Sequence, residues 1–290
     1  YQKVDANGNI NYGSGSFAHG SGIGNYTGYY SSIIGFQAGY YISGNAHRNT
    51  ALGYRAMYGA TTGQTAQDNV AIGPYALHDL GVGNFNIGVG NNAGGDITGG
   101  ENNIYIGVNA GRLTTIGLKN VAIGSEALYD NVHGDFNIGI GSGALYNTTP
   151  ADGEGKNIAI GTNAGAQNTT GTGNIFIGDQ AANDTTWQTL DDKLVIANSN
   201  TTSPLIYGDF SAATLTLNGS LTMAATKTIT LGGNAVDDIL VAADAASTGD
   251  DELTTAGYVA ARYAPISVVG TIGGSVTSGY MAYASSANTL

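Results

Sequence analysis

Short alternations of apolar and small residues punctuate the first two thirds of the chain. In "NVAIGPYAL" Val70 and Ile72 alternate with Ala71, and in "NIAIGTNAG" Ile158 and Ile160 alternate with Ala159. A period of two predicts one short β-strand in each segment. Aligning such segments on the Gly that ends the alternation reveals a repeat, Asn-apolar-x-apolar-Gly-x-x-Ala, present ten times. Its Gly falls at Gly15, Gly35, Gly53, Gly73, Gly90, Gly107, Gly124, Gly141, Gly161 and Gly178. Three residues later stands an Ala in every copy, among them Ala76, Ala110, Ala127 and Ala164. Four residues before the Gly stands an Asn in nine copies, including Asn69, Asn103, Asn120 and Asn157, with Ser31 the exception.

The copies are spaced mostly by 17 residues and otherwise by 18 or 20, with the additions in the loop part, as in "YNTTPADGEGK". A strand this short cannot bury a core alone. Stacking the copies at about 4.8 Å per coil would give each strand its backbone partners and a shared apolar interior. The repeat Gly suits a corner where a Cβ would clash, and the Ala suits a narrow inner position. The expectation is an all-β β-roll or β-solenoid over residues 1–185.

Downstream the pattern changes. "KLVIANSNTTSPLIYGDF" and "ATLTLNGSLTMAATKTITLGG" alternate with turn signals at Asn-Gly and Gly-Gly, predicting a β-stalk or hairpin region over 186–249. "DDELTTAGYVAARYA" predicts a short helix over 250–265, with acids in its first turn and Pro265 ending it. Residues 266–290 read as a β or irregular tail.

Composition narrows the function. Gly is 47 of 290 residues and charged residues are only 10%, against globular norms of about 7% and about 25%. A formal charge of −12 with scattered Lys and Arg argues against nucleic-acid binding. Zero Cys removes thiolate chemistry, and no apolar run approaches the length of a membrane span.

Few residues suggest catalysis. "GVGNNA" (Gly88 to Ala93) and "GIGSGA" (Gly139 to Ala144) imitate a dinucleotide fingerprint, but another repeat strand follows where a helix should open. His19, His47, His78 and His133 form no ligand ladder, and the pairs Asp191/Asp192, Asp237/Asp238 and Asp250/Asp251 point to opposite faces if on strands. No enzyme, cofactor or metal site is expected, although the Asn- and Asp-rich loops leave room for a calcium ion. Tyr is the exception: nine of 18 lie in the first 60 residues, including Tyr26, Tyr29, Tyr30, Tyr40, Tyr41, Tyr54 and Tyr58. They could form a receptor patch for a glycan or protein. They could instead form a ladder between coils, since Tyr40, Tyr58, Tyr129 and Tyr146 all sit five residues after the repeat Gly.

The "NVAIGxxAL…NTTGxGN" repeat resembles the head repeats of trimeric autotransporter adhesins, and more closely their counterparts in bacteriophage tail fibres. The adhesin repeat is nearer 14 residues, so the spacing here implies a longer outer loop. "DELTTAGYVAARYAP" resembles a segment common in phage tail proteins, and "TSGYMAYASSANTL" is similar to the stretch before an endosialidase-type chaperone that cuts itself off. The resemblance implies a left-handed parallel β-roll in a homotrimeric fibre, followed by an intertwined stalk. It implies other tail or baseplate proteins and a host cell-surface glycan or protein as partners, on a virion. The rivals are a bacterial trimeric surface adhesin head, an ice-binding solenoid and a depolymerising tailspike enzyme.

Overall fold

A computed structural model describes residues 2–4, 10–12, 30–41, 46–59, 65–151 and 153–220. The helix expected over 250–265 and the tail over 266–290 lie outside the described residues, as does the stalk region from residue 221. Within them the chain is almost entirely β and forms a β-solenoid of about nine turns.

Fourteen strands pair in chain order in one sheet. They are β1 (Gln2–Val4), β2 (Ile10–Tyr12), β3 (Ser32–Ile34), β4 (Thr50–Leu52), β5 (Val70–Ile72), β6 (Ile87–Val89) and β7 (Ile104–Ile106). The series continues with β8 (Val121–Ile123), β9 (Ile138–Ile140), β10 (Ile158–Ile160), β11 (Ile175–Ile177), β12 (Lys193–Ile196), β13 (Ile206–Asp209) and β14 (Thr214–Leu217). From β2 to β12 every neighbour is parallel and in strict register, so that Ile106 faces Ile123 and Ile123 faces Ile140. The parallel sheet runs on past residue 185, because β12 pairs with β11. It then turns antiparallel through β13 and β14, as it does at its other end between β1 and β2. Residues 1–220 form one compact unit.

From β3 to β11 each three-residue strand turns its middle side chain inward and its two outer ones outward. Ala51, Ala71, Ala122 and Ala159 are fully buried, while Leu52, Ile72, Ile123 and Ile160 are exposed. The interior is too narrow for a large side chain in every coil, so small residues line most of it.

The corner after the strand explains the repeat Gly. Gly73 has φ +126°, and a Cβ there would lie 2.7 Å from the carbonyl oxygen of Gly90 in the next coil. The same collision with the next corner recurs at Gly53, Gly107, Gly124, Gly141 and Gly161. Only a residue without a side chain permits this backbone approach. Three residues on, Ala76, Ala110, Ala127 and Ala164 are fully buried. The Ala N–H donates back to the repeat Gly, as from Ala110 to Gly107 (3.4 Å), while the N–H groups of Gly107, Asn109 and Gly111 donate to Val89, Asn91 and Ala127 in neighbouring coils.

The repeat Asn forms the third column. Asn69, Asn86, Asn103, Asn120, Asn137, Asn157 and Asn174 are fully buried. Each side-chain oxygen accepts the backbone N–H of the next Asn: Asn86 to Asn69 (2.8 Å), Asn103 to Asn86 (3.0 Å), Asn120 to Asn103 (2.8 Å), Asn137 to Asn120 (2.9 Å). The side-chain amide donates in turn to a carbonyl of the following turn, as from Asn103 to Gly117 and from Asn120 to Gly134 (both 2.8 Å). Ser31 begins the column by accepting the N–H of Asn49 (3.1 Å), and Lys193 ends it by donating to Asn174 (2.9 Å). Buried polar groups need partners, and this ladder supplies one to a backbone donor in each coil.

Candidate functional site

With the Asn, Gly and Ala columns facing inward, recognition is left to the outer faces. The first is the sheet itself. The outward residues of successive strands align into two columns: Val70, Ile87, Ile104, Val121, Ile138 and Ile158 in one, and Ile72, Val89, Ile106, Ile123, Ile140 and Ile160 in the other. The second column is the barer one, with Ile106 39% and Ile160 42% exposed. Solvent-facing strands of a soluble sheet ordinarily carry polar residues. The exposed residues Leu52, Ile72, Ile106, Ile123, Ile140 and Ile160 thus form a contiguous apolar strip along this face.

The second face is aromatic. Tyr40, Tyr58 and His78 occupy the same position in three successive coils and stack in one column. The ring centroids of Tyr40 and Tyr58 are 5.2 Å apart, and those of Tyr58 and His78 5.1 Å apart, with planes within 11° and 8°. Tyr41 meets Tyr40 and Tyr58 edge-on. A parallel column one step from the corner stacks Phe36 on Tyr54 (5.7 Å), and Tyr75 meets Tyr54 edge-on. The Arg55 guanidinium sits 5.3 Å from the Tyr54 ring and 5.1 Å from the Tyr58 ring, joining the columns. Burial, then the neighbouring Tyr41, raises the Tyr58 hydroxyl pKa, while a hydrogen bond with Tyr54 is the main cause raising that of Tyr75.

Of the predicted tyrosines, Tyr40, Tyr41, Tyr54 and Tyr58 are thus brought together. Tyr30 stands exposed before the first aligned corner, and Tyr26 and Tyr29 lie outside the described residues. Tyr129 and Tyr146 repeat the stack further along (5.0 Å, 5°). Tyr40 on Tyr58, Tyr58 on His78 and Tyr129 on Tyr146 are face-to-face stacks between successive coils. Phe36, Arg55, Tyr75 and His78 were not among the predicted patch. For His78 the signal was present, since it lies five residues after Gly73, as Tyr58 does after Gly53.

Of the remaining candidates, His19, Asp237, Asp238, Asp250 and Asp251 lie outside the described residues, while His78, Asp191 and Asp192 have structural partners. His78 Nδ1 lies 2.5 Å from Asp79. Asp191 accepts from the N–H and hydroxyl of Thr172 (2.7 and 3.1 Å), and the Asp192 N–H donates to the carbonyl of Thr172. Gly88 and Gly139 lie mid-strand in β6 and β9, and the corners after them lead to the next coil rather than to a helix. Among the described residues no group of three or more His, Cys, Asp or Glu is placed to hold a metal ion, and no helix is long and apolar enough to cross a membrane.

No protein-family model, no curated protein and no solved structure matches the chain. What can be said of its kind is therefore the architecture, a parallel β-solenoid with an apolar outer sheet face.

Proposed function

We propose that the chain is a structural and host-attachment protein: the rod of a homotrimeric bacteriophage tail fibre that carries receptor-binding loops. The observation that carries the reading is the double column of outward Val and Ile on the parallel sheet. Removing apolar surface from water is worth about 25 cal/mol per Å², and a face repeated over so many strands gives this term in every coil. A second and third copy, arranged as left-handed coils about a threefold axis, would cover it along its length. The eleven parallel strands β2 to β12 would span on the order of 48 Å at about 4.8 Å per step. An intertwined stalk and a short helix would follow beyond residue 220.

The frame positions leave recognition to what lies between them. Loop-length variation falls before the repeat Asn, outside the Asn, Gly and Ala columns, so loops can change without disturbing the rod. Such a rod needs no catalytic group, cofactor or resident metal. It would attach to other tail or baseplate proteins at one end and meet a host surface glycan or protein elsewhere.

The genes beside the coding sequence test the assignment to a virion. Tail and baseplate genes on either side are expected. A signal peptide upstream with a membrane-anchor barrel downstream in the same reading frame would replace the fibre with a bacterial surface adhesin.

A further inference from the structure

The last coil and the antiparallel strands after it leave an open, solvent-facing cleft of about 330 Å³, at the lower end of the roughly 300–1,000 Å³ typical of small-molecule sites. Asp184 starts the local structure by accepting the N–H of Thr186 (2.9 Å), which caps a 3-10 turn over Thr185–Trp187. That turn buries Trp187, the single Trp of the chain, to 5% exposure. Its ring lies 5.8 Å from that of Tyr207 on β13, tilted by 53°. Asn218, just after β14, donates its side-chain amide to the carbonyl of Pro204 (2.7 Å) and its backbone N–H to Leu205 (2.9 Å). These two bonds hold β14 against the 198–205 loop.

The cleft is lined by two aromatic rings and Leu190 together with the polar groups of Thr202, Ser203 and Asn218. Among the described residues no charged side chain lines it. The nearby ion pair of Lys193 with Asp209 (2.9 Å) is not part of its lining. The Trp187 indole N–H is buried with no hydrogen-bond acceptor among the described residues. A buried donor without an acceptor is uncommon in folded proteins, and Trp187 is one of the residues that line the cleft.

We propose that this cleft is a binding site for a neutral sugar, a single hexopyranose unit. An apolar ring surface suits the C–H face of such a sugar, as aromatic side chains offer a flat apolar body with a polar tip. The hydroxyls of Thr202 and Ser203 and the Asn218 side-chain oxygen match its hydroxyls. The absence of a cationic partner and the chain's formal charge of −12 select against acidic sugars. The cleft belongs to one chain, so the site does not depend on the fibre reading.

Because Trp187 is the only indole, its emission reports on this cleft alone. The full chain is titrated with the methyl glycosides of glucose, galactose, mannose, N-acetylglucosamine and sialic acid. At least one neutral glycoside should give a saturable change in emission, and the sialoside none. Ser203 is exposed, so Ser203→Leu should leave the unfolding midpoint unchanged while weakening the response at least tenfold. Trp187→Phe, followed by saturation-transfer NMR of the sugar, should show a comparable loss. The site is refuted if no neutral glycoside gives a saturable change, if Ser203→Leu binds as the parent does, or if the sialoside binds equally well.

Discussion

A Cβ on Gly94 would lie 2.7 Å from Cδ2 of Tyr105, so the aromatic ring occupies the volume the glycine leaves open. The relation is general along the core. The mid-strand residue and the residue four after the repeat Gly compensate in size: Ala71 goes with Leu77, Ala122 with Leu128, Gly139 with Leu145, but Tyr105 with Gly111. Where both are glycine, as at Gly88 and Gly94, the adjacent coils fill the gap, with Leu77 from one side and Tyr105 from the other.

This compensation predicts a rescue. Tyr105→Ala alone should cost about 3–5 kcal/mol as a cavity, and Gly111→Leu alone about 1–3 kcal/mol as overpacking. Together they recreate the pairing of Ala122 with Leu128, so their combined cost should fall short of the sum by about 0.5–3 kcal/mol. Denaturant unfolding of the two singles and the double measures it, and strict additivity would refute the pairing.

The Asn ladder gives a sharper contrast. Asn120→Ala removes the acceptor for the Asn137 N–H (2.9 Å) and the donor to Gly134 (2.8 Å). An orphaned buried donor costs about 1–3 kcal/mol. Asn91→Ala, on the exposed side of a corner, should stay within about 0.5 kcal/mol of the parent. Equal midpoints for the two variants would mean that the ladder does not stabilise the fold.

The register of Asn, Gly and Ala from Gly35 onward was legible because the same three requirements recur in every coil. In the first copy, by contrast, Ile10 pairs with Ser32 and Tyr12 with Ile34, two residues earlier than the alignment on Gly15 expects. The Gly meets the backbone of the next Gly, and the Ala fills a site of fixed size. What the alternation did not disclose is that Val70 and Ile72 point out while Ala71 points in. Hydropathy alone favours burying the larger residues, and the narrow coil reverses that order. Nor did the Asn residues read as a buried column, since Asn also suits exposed turns and the two uses share one letter. The Trp187 cleft arises from contacts between the last coil and β13, which no repeat pattern encodes.

Stacking in the tyrosine column can be weighed directly. Tyr58 touches Tyr40, Tyr41, His78 and Arg55, and an aromatic pair is worth about 0.5–1.5 kcal/mol beyond its burial. Tyr58→Ala should therefore lower stability by about 1–3 kcal/mol, counting two lost stacks, and Tyr58→Phe should change it little. A thermal melt of both variants decides this, and a neutral Tyr58→Ala would mean that the ring faces a partner instead of its neighbours.

Acid should act on the strands that close the solenoid. Hydrogen bonds from Ser211 (2.6 Å), Lys193 (2.9 Å) and the Ala212 N–H (3.0 Å) hold the Asp209 carboxyl well below its usual range. In the unfolded chain it titrates near about 3.9. The folded state therefore binds fewer protons over this window, and the stabilisation is complete above about pH 5 and declines as pH falls through about 4 and below. Asp209→Asn should lower the unfolding midpoint at neutral pH, with the gap closing in acid. A gap that widens on acidification would reverse the assigned sign.

The outward apolar columns pose the central question, which is what covers Ile106, Ile123 and Ile140. Sedimentation equilibrium of the purified chain at low micromolar concentration answers it most directly. Three copies of 29.3 kDa weigh 87.9 kDa (3 × 29.3), and a single species of that mass is expected. A stable 29.3 kDa monomer that keeps its β structure would show that the columns need no second copy, and would contradict the trimeric fibre.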